Sequence, residues 1–450
     1  MNDFNNINKS NKLSVAIIGL LFFIFGFVTW LNGALIPFLQ TACELSHHEA
    51  YLVTMTFYIA YTVAALPSSA ILKKVGYKNG MVMGLCIMAI GSLIFIPAAV
   101  ERMYPLFLTA LFVLGAGLTI LQTAANPYIV LLGPQESAAA RISIMGLMNK
   151  GAGILAPIVF SVLLFSDIAM FSEENMSLLS ASDKALQLQE LSMRLIQPYI
   201  VMASILFVLS LFVYKSPLPE IGKITDERDD RLDIKATLRF PQLTLGVITL
   251  FLYVGVEVIA GDTIGLFGKE MGVINYATLT SYTMFFMVIA YILGMVCIPR
   301  FIKQETALLA SAICGLALTF MIIFSPSETY YISNAILSFM LNERIPDVVL
   351  YVTMLGFANA LVWPALWPMA LNGLGKYMST GSALLIMGIS GGAILPFVYG
   401  LTSDFTGDVQ SSYVVMLPCY AFILFYAYKG HKISSWSSPK LHPSIINQSK

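Results

Sequence analysis

At 450 residues the chain is 58 % hydrophobic and only 11 % charged, with 25 basic and 25 acidic side chains and no net charge. Ordinary globular domains are about 45–50 % apolar and about 25 % charged, so this composition excludes a soluble enzyme or a disordered chain and fits a protein that crosses a bilayer many times. Zero net charge leaves no nucleic-acid footprint, and the five cysteines (Cys43, Cys86, Cys297, Cys314, Cys419) are scattered rather than spaced as in a disulfide framework or a zinc site.

In chain order, the first twelve residues are polar, and the apolar run after them is too long for a cleavable signal, so the first span is expected to stay in the mature protein. A charge near the bilayer centre costs at least about 2.5–3.5 kcal/mol, which makes charge-free stretches the markers of membrane spans. They run over 13–43, 50–72, 79–100, 103–135, 195–214, 271–299, 306–327, 348–375, 377–403 and 409–428. Two more apolar stretches carry charge inside: 142–166 holds Lys150, and 240–268 holds Glu257 and Asp262, for twelve predicted spans in an all-α membrane protein. The apolar segment 332–341 has only ten residues and reads as interfacial.

Charge bias sets the orientation. With a cytoplasmic N-terminus, 19 of the 25 lysines and arginines fall on the cytoplasmic side, five on the other, and Lys150 within a span. That excess predicts both termini inside and a multi-pass protein of the cell (inner) membrane. Six spans precede the most charged stretch of the chain, KSPLPEIGKITDERDDRLDIKATLRFPQ, and six follow it. The predicted organisation is therefore a bundle over 1–214, a cytoplasmic linker over 215–241 and a second bundle over 242–450 with a short cytoplasmic tail.

The halves resemble each other. In the fourth span Asn126-Pro127 is followed 30 residues later by Pro157 in GAGILAP; in the tenth, Trp363-Pro364 is followed 32 residues later by Pro396 in SGGAILP. Parallel six-helix repeats of this kind build one large transporter class. Particular blocks point the same way: FGFVTWLNGALIPFLQ in span one, LKKVGYKNG after span two, LQTAANPYIVLLGP in span four, YVGVEV in span seven and GGAILP in span eleven. Through these blocks, from about Phe22 to Gly430, the chain resembles the major facilitator superfamily, in particular its fucose permease branch and the glucose/galactose transporters within it. The resemblance implies two six-helix bundles and import of a monosaccharide, of glucose/galactose type, with a cation by alternating access. N-acetylglucosamine and fucose are the alternative sugars. No cofactor is expected beyond the co-transported Na+ or H+, and the partners are the sugar, the cation and the lipid bilayer, with the protein as a monomer.

Departures from the family pattern shape the expected site. Where relatives read Leu-Asn-Asp in the first span, this chain has Leu31-Asn32-Gly33, and Gln122 replaces the glutamate that opens the span-four block of fucose-type members. The resemblance implies a proton route through those two acids in fucose-type members, and it cannot simply be carried over to this chain. In span five, relatives carry Gln and Asn three apart, and here the pair is Gly146 and Asn149. Asn32 and Asn149 are nevertheless expected among the substrate-binding residues through these blocks.

Polar groups inside a membrane must find a partner or water, which makes them functional candidates. Gln122 and Asn126 share one face of span four, as Asn359, Trp363 and Trp367 share one face of span ten. One offset of 237 maps Gln122 to Asn359 and Asn126 to Trp363. Amides suit neutral sugar hydroxyls and indole faces suit the C–H face of a pyranose. Interhelical amide packing and interface tryptophans would give the same pattern. Three charges lie inside spans: Lys150, Glu257 and Asp262. Superposing FGFVTWLNG on VGVEVIAGD sets Asp262 opposite Gly33, as if the acid absent from span one reappeared at its pseudo-symmetric place. Lys150, Glu257 and Asp262 are together the expected ion-coupling group, Lys150 pairing with Glu257 and leaving Asp262 as the freer carboxylate; a structural ion pair between the halves is the alternative. His47 and His48 lie in a short loop with no further ligands, and all four histidines fall outside the spans, which argues against an embedded enzyme. A membrane-embedded sugar sensor would need an output domain, and only about 22 residues follow the last span.

Overall fold

The computed structural model describes residues 2–132, 138–164, 171, 176, 179–219, 234–298, 301–337, 344–374, 377–433 and 435–436. Among them every regular element is helical and none is a strand. Eleven helical stretches are long and apolar enough to cross a membrane. The stretch 50–72, expected as the second span, lies inside a longer helix and is not one of the eleven. Most of the expected linker, 220–233, and the tail from 437 lie outside the described residues.

The chain opens with α1 (Asn2–Trp30) and α2 (Asn32–Cys43), interrupted at Leu31. Helix α3 (His47–Val100) has two arms that meet at Gly76, where φ 79° and ψ 168° demand a residue without Cβ. The LKKVGYKNG block is thus a sharp corner between helices rather than an open loop. Helices α4 (Tyr104–Leu131), α5 (Ala138–Leu164), α6 (Ala181–Met193) and α7 (Ile196–Lys215) follow. Gln189 and Ser192 of α6 donate to the carbonyls of Val100 and Ala99, satisfying acceptors that the end of α3 leaves free. Lys78 donates to the Ser216 carbonyl at 2.7 Å, setting a cation at the negative end of the α7 dipole.

Beyond the linker come α8 (Pro241–Asp262), α9 (Ile264–Glu270), α10 (Leu279–Cys297), α11 (Gln304–Phe324), α12 (Asp347–Ala360), α13 (Val362–Leu371), α14 (Met378–Met387), α15 (Gly391–Thr406) and α16 (Met416–Tyr428). The expected eighth span starts late: residues 271–278 form turns and a short 3-10 segment around Gly272, whose φ is 74°. The interfacial segment expected at 332–341 contains a short helix, Tyr331–Leu337.

Packing follows the repeat. Helix α1 lies on α5 and α8 on α15; across the seam the first arm of α3 lies on α15 and α5 on α10. Exchanging span n for span n + 6 turns each contact of a pair into the other. Glycine makes the equivalent close approaches possible: Gly26 of α1 lies against the Asn149 backbone, and Gly391 of α15 against the Phe251 backbone, with no room for a Cβ at either.

Candidate functional site

Breaks in the helices locate the site. The path from α1 to α2 is interrupted at Leu31, α8 to α9 at Thr263, α12 to α13 at Leu361, and α14 to α15 by the 3-10 turn Gly388–Ser390. A broken helix within a membrane leaves backbone acceptors that side chains must satisfy. At the α8 end threonines do this: Thr280 donates to the Gly261 carbonyl at 2.7 Å, Thr283 to Ala260 at 3.1 Å and Thr263 to Ile259 at 2.6 Å.

Between the two sets of helices lies a cavity of about 10 Å³, room for one water. One wall is polar and comes from α3 and α4: Tyr61, Thr119, Gln122, Thr123 and Asn126. The other is apolar and aromatic: Trp363 and Trp367 of α13, Ile386 of α14 and Ile389. Among the described residues no charged side chain lines it. The two indoles are 5.5 Å apart, and the Trp367 Nε1–H is buried with no acceptor. A sugar cannot enter unless these walls part.

Of the residues expected from sequence, Gln122, Asn126, Trp363 and Trp367 line this cavity; Asn32, Asn149 and Asn359 do not. Asn359 is fully buried, and its Oδ1 accepts the Tyr420 hydroxyl at 2.8 Å. The break at Leu361 separates Asn359 on α12 from the tryptophans on α13, so the face shared in sequence is not shared in space. Asn149 accepts from Trp30 Nε1 at 3.4 Å, and Asn32 is buried at the start of α2 with its Nδ2 unpartnered. Tyr61, Thr119 and Thr123 were missed; Tyr61 follows Tyr58 by three residues on one helix face, a pattern visible in the sequence.

The charges form a second cluster on the seam. Lys150 Nζ of α5 donates to Glu257 Oε1 of α8 at 2.6 Å, and both residues are 7 % exposed. The ammonium also lies 4.2 Å from the Trp30 ring centroid, a cation–π contact. Trp30 packs against Gly153 of one half and Gly261 of the other. Asp262 is 0 % exposed and neither carboxylate oxygen has a hydrogen-bond partner. Gly33 faces Thr280 and the Gly261 carbonyl so closely that a Cβ would collide. The place of the family's span-one aspartate is therefore filled from the other half.

One end of the bundle is shut. Asp404 Oδ2, at the end of α15, accepts from His48 Nδ1 at 2.5 Å and from the His48 backbone N–H at 3.1 Å. A carboxylate of one half thereby sits on the helix N-terminus of the other. Beside it, His47 meets Glu270 at 3.9 Å, and Lys269 donates to Gln40 and Thr41 at 3.2 and 3.3 Å. The Ser46 hydroxyl and backbone N–H both donate to Glu49, which holds that exposed carboxyl below the usual range and completes a capping box. Tyr104, at the start of α4, donates to the Glu49 carbonyl at this same end. Gln122 lies 18 residues further along α4, roughly 27 Å at 1.5 Å per residue, so the seal and the cavity are well apart.

Among the described residues no group of three or more His, Cys, Asp or Glu side chains could hold a metal. Comparison with known proteins adds three findings. The family model described as Major Facilitator Superfamily matches residues 18–397. The glucose/galactose transporter of Brucella abortus (strain 2308) is 32 % identical over 94 % of this chain and 95 % of its own, and the L-fucose-proton symporter of Escherichia coli (strain K12) is 26 % identical over 93 % of each. Among solved structures, the transporter FucP in the outward conformation superposes with a TM-score of 0.71 at 25 % identity, over 93 % of this chain and 98 % of that one.

Proposed function

The chain belongs to the Major Facilitator Superfamily, and from that premise we propose that it imports a neutral monosaccharide of the glucose/galactose type in symport with a cation, by alternating access. It is a membrane transporter, not an enzyme. The observation that carries the sugar reading is the uncharged cavity with a polar wall of hydroxyls and amides facing an indole wall. Those are the complements of a pyranose, whose hydroxyls need donors and acceptors and whose C–H face packs on an aromatic ring. Relatives named glucose/galactose transporter and L-fucose-proton symporter support the same class. The proposed topology is twelve spans in two bundles, 1–214 and 242–450, joined by the linker 215–241, with both termini in the cytoplasm of an inner-membrane monomer. The His48–Asp404 end then faces outside, and the cavity lies toward the cytoplasm.

Asp262 is the proposed coupling site. Lys150 is committed to Glu257, so the carboxylate at the end of α8 has no countercharge within bonding distance. A carboxyl buried in that state either takes up a proton or binds a cation, and both are carriers for symport. Sodium is the expected ion, because the chain lacks the acids of spans one and four that carry the proton in fucose-type relatives. Uptake of labelled monosaccharides into proteoliposomes under imposed sodium or proton gradients tests both statements. Glucose or galactose should accumulate under a sodium gradient, and Asp262→Asn should abolish accumulation while sugar exchange continues. Accumulation of fucose or N-acetylglucosamine alone would reassign the substrate, and a mutant that still concentrates sugar would make Asp262 structural.

A further inference from the structure

Tyr61 gives the cavity a feature that the amides alone would not. Its ring is held by two neighbours on the same helix arm, stacked on Tyr58 (centroids 6.0 Å, 22° between planes) and edge-on to Phe57 (6.2 Å, 71°), and it is 3 % exposed. Gln122 Nε2 donates to its hydroxyl at 2.9 Å. A phenol both donates and accepts, and an amide carries an acceptor oxygen besides its N–H. With one of the two amide N–H groups committed to the phenol oxygen, Tyr61 keeps its proton to donate and Gln122 keeps Oε1 to accept. The two groups come from different helices and line the same wall. On the opposite wall the Trp367 N–H is buried without an acceptor, as expected of a group awaiting a ligand oxygen.

We propose that Tyr61, fixed by Gln122, reads a pair of neighbouring hydroxyls on the sugar, its O–H donating to one while Gln122 Oε1 accepts from the other, and that Tyr61 therefore sets which monosaccharides the protein distinguishes. This rests on the monosaccharide reading above. A rigid donor–acceptor couple matches adjacent hydroxyls in one relative orientation and leaves a buried group unpaired when one of them is inverted or removed. Buried polar groups left without partners are the main source of discrimination at such sites.

The test is a matrix of sugars against variants. Purified protein in detergent is titrated with glucose, galactose and the monodeoxy analogues of whichever binds more tightly, and the emission of Trp363 and Trp367 in the cavity wall is followed. In the wild type, removing the hydroxyl that Tyr61 contacts should weaken binding about tenfold, the order of one net hydrogen bond. In Tyr61→Phe the parent sugar should lose about that factor, and the parent-to-deoxy ratio at that single position should fall to about one while the other ratios stay. A uniform loss across all sugars, or unchanged ratios, would overturn the assignment and leave Tyr61 as scaffold. Should Tyr61→Phe not fold, Gln122→Glu gives the same reading, because its carboxylate takes the phenol proton and must collapse the same ratio. Wild-type protein that binds no monosaccharide would overturn the transport reading itself; sugar binding with unaltered ratios overturns only the role of Tyr61.

Discussion

The Lys150–Glu257 pair makes an asymmetric prediction. At 2.6 Å and an effective dielectric of about 20, the Coulomb attraction is roughly 6 kcal/mol, most of it offset by taking both charges out of water. Deleting one partner of such a pair typically costs about 3–5 kcal/mol, because the survivor stays buried and uncompensated. Lys150→Met leaves two carboxylates on the seam, Glu257 and Asp262, and no cation for either, so it should bear that full cost. Glu257→Gln leaves Lys150 with Asp262 five residues along the same helix and unpartnered. The expectation is that the ammonium turns to this second carboxylate of α8, so the loss should be less than half as large. Lys150→Met combined with Glu257→Gln should recover most of the stability lost by Lys150→Met alone. At about 2.1 cal/mol/K per residue of unfolding entropy, a chain of this length shifts by about 1 °C per kcal/mol, so Lys150→Met should lower the melting temperature by about 3–5 °C. Melting curves of the three variants in one detergent decide the matter. Strictly additive single effects, or equal losses for the two singles, would refute both the pairing energetics and the availability of Asp262.

Other outcomes follow from single contacts. Asn359→Ala should strand the buried Tyr420 hydroxyl and cost about 1–3 kcal/mol of stability, while sugar affinity per folded molecule, measured by titration, stays at the wild-type value. Gly33→Asp should not rebuild the family's proton carrier: Thr280 occupies that space, so folded yield on size exclusion should drop instead. Asp404→Asn should weaken the seal over His48, and a cysteine placed at the buried position Thr54 should then react faster with an impermeant thiol reagent added outside. Glu49 is held below its ordinary pKa of 4.5 by Ser46, so its support of the α3 N-terminus is present above that pH and is lost as pH falls below it. Opening of this end by the same labelling assay should therefore rise on acidification below about pH 4.5, and less so in Glu49→Gln.

How far the sequence reached depends on whether a feature is written in composition or in three-dimensional closure. The all-helical, many-span class was legible because charge is expensive in hydrocarbon wherever a helix packs. The pairing of Lys150 with Glu257 was legible too, since three intramembrane charges leave few combinations. Asn359 parts from the tryptophans for a physical reason: extrapolating one helical face from Asn359 to Trp367 assumes an unbroken helix, and the chain breaks at Leu361. Pro364 is the local signal: it has no N–H for the Ala360 carbonyl and its ring crowds that carbonyl, which breaks the helix one turn earlier, at Leu361. Tyr61 was missed because tyrosine in an apolar span is ordinary, and only the arrival of Gln122 from another helix makes its hydroxyl a ligand group.

Gly33 shows the same limit in reverse. From sequence it reads as an acid deleted from span one and regained, at the matching place of the repeat, in Asp262. The structure joins these two facts physically, because Gly33 lets α2 approach Thr280 and the Gly261 carbonyl, next to Asp262 in the chain. An aspartate at 33 and one at 262 would bring two buried carboxylates toward one seam with Lys150 already engaged, and like charges so placed cannot both stay ionised. The exchange of one acid for the other is thus a constraint of the closed interface, and a variant carrying Gly33→Asp with Asp262→Gly has to be accompanied by a smaller residue at Thr280 before it can fold. If Thr280→Ala fails to improve the folded yield of that double exchange, the steric part of the argument is wrong.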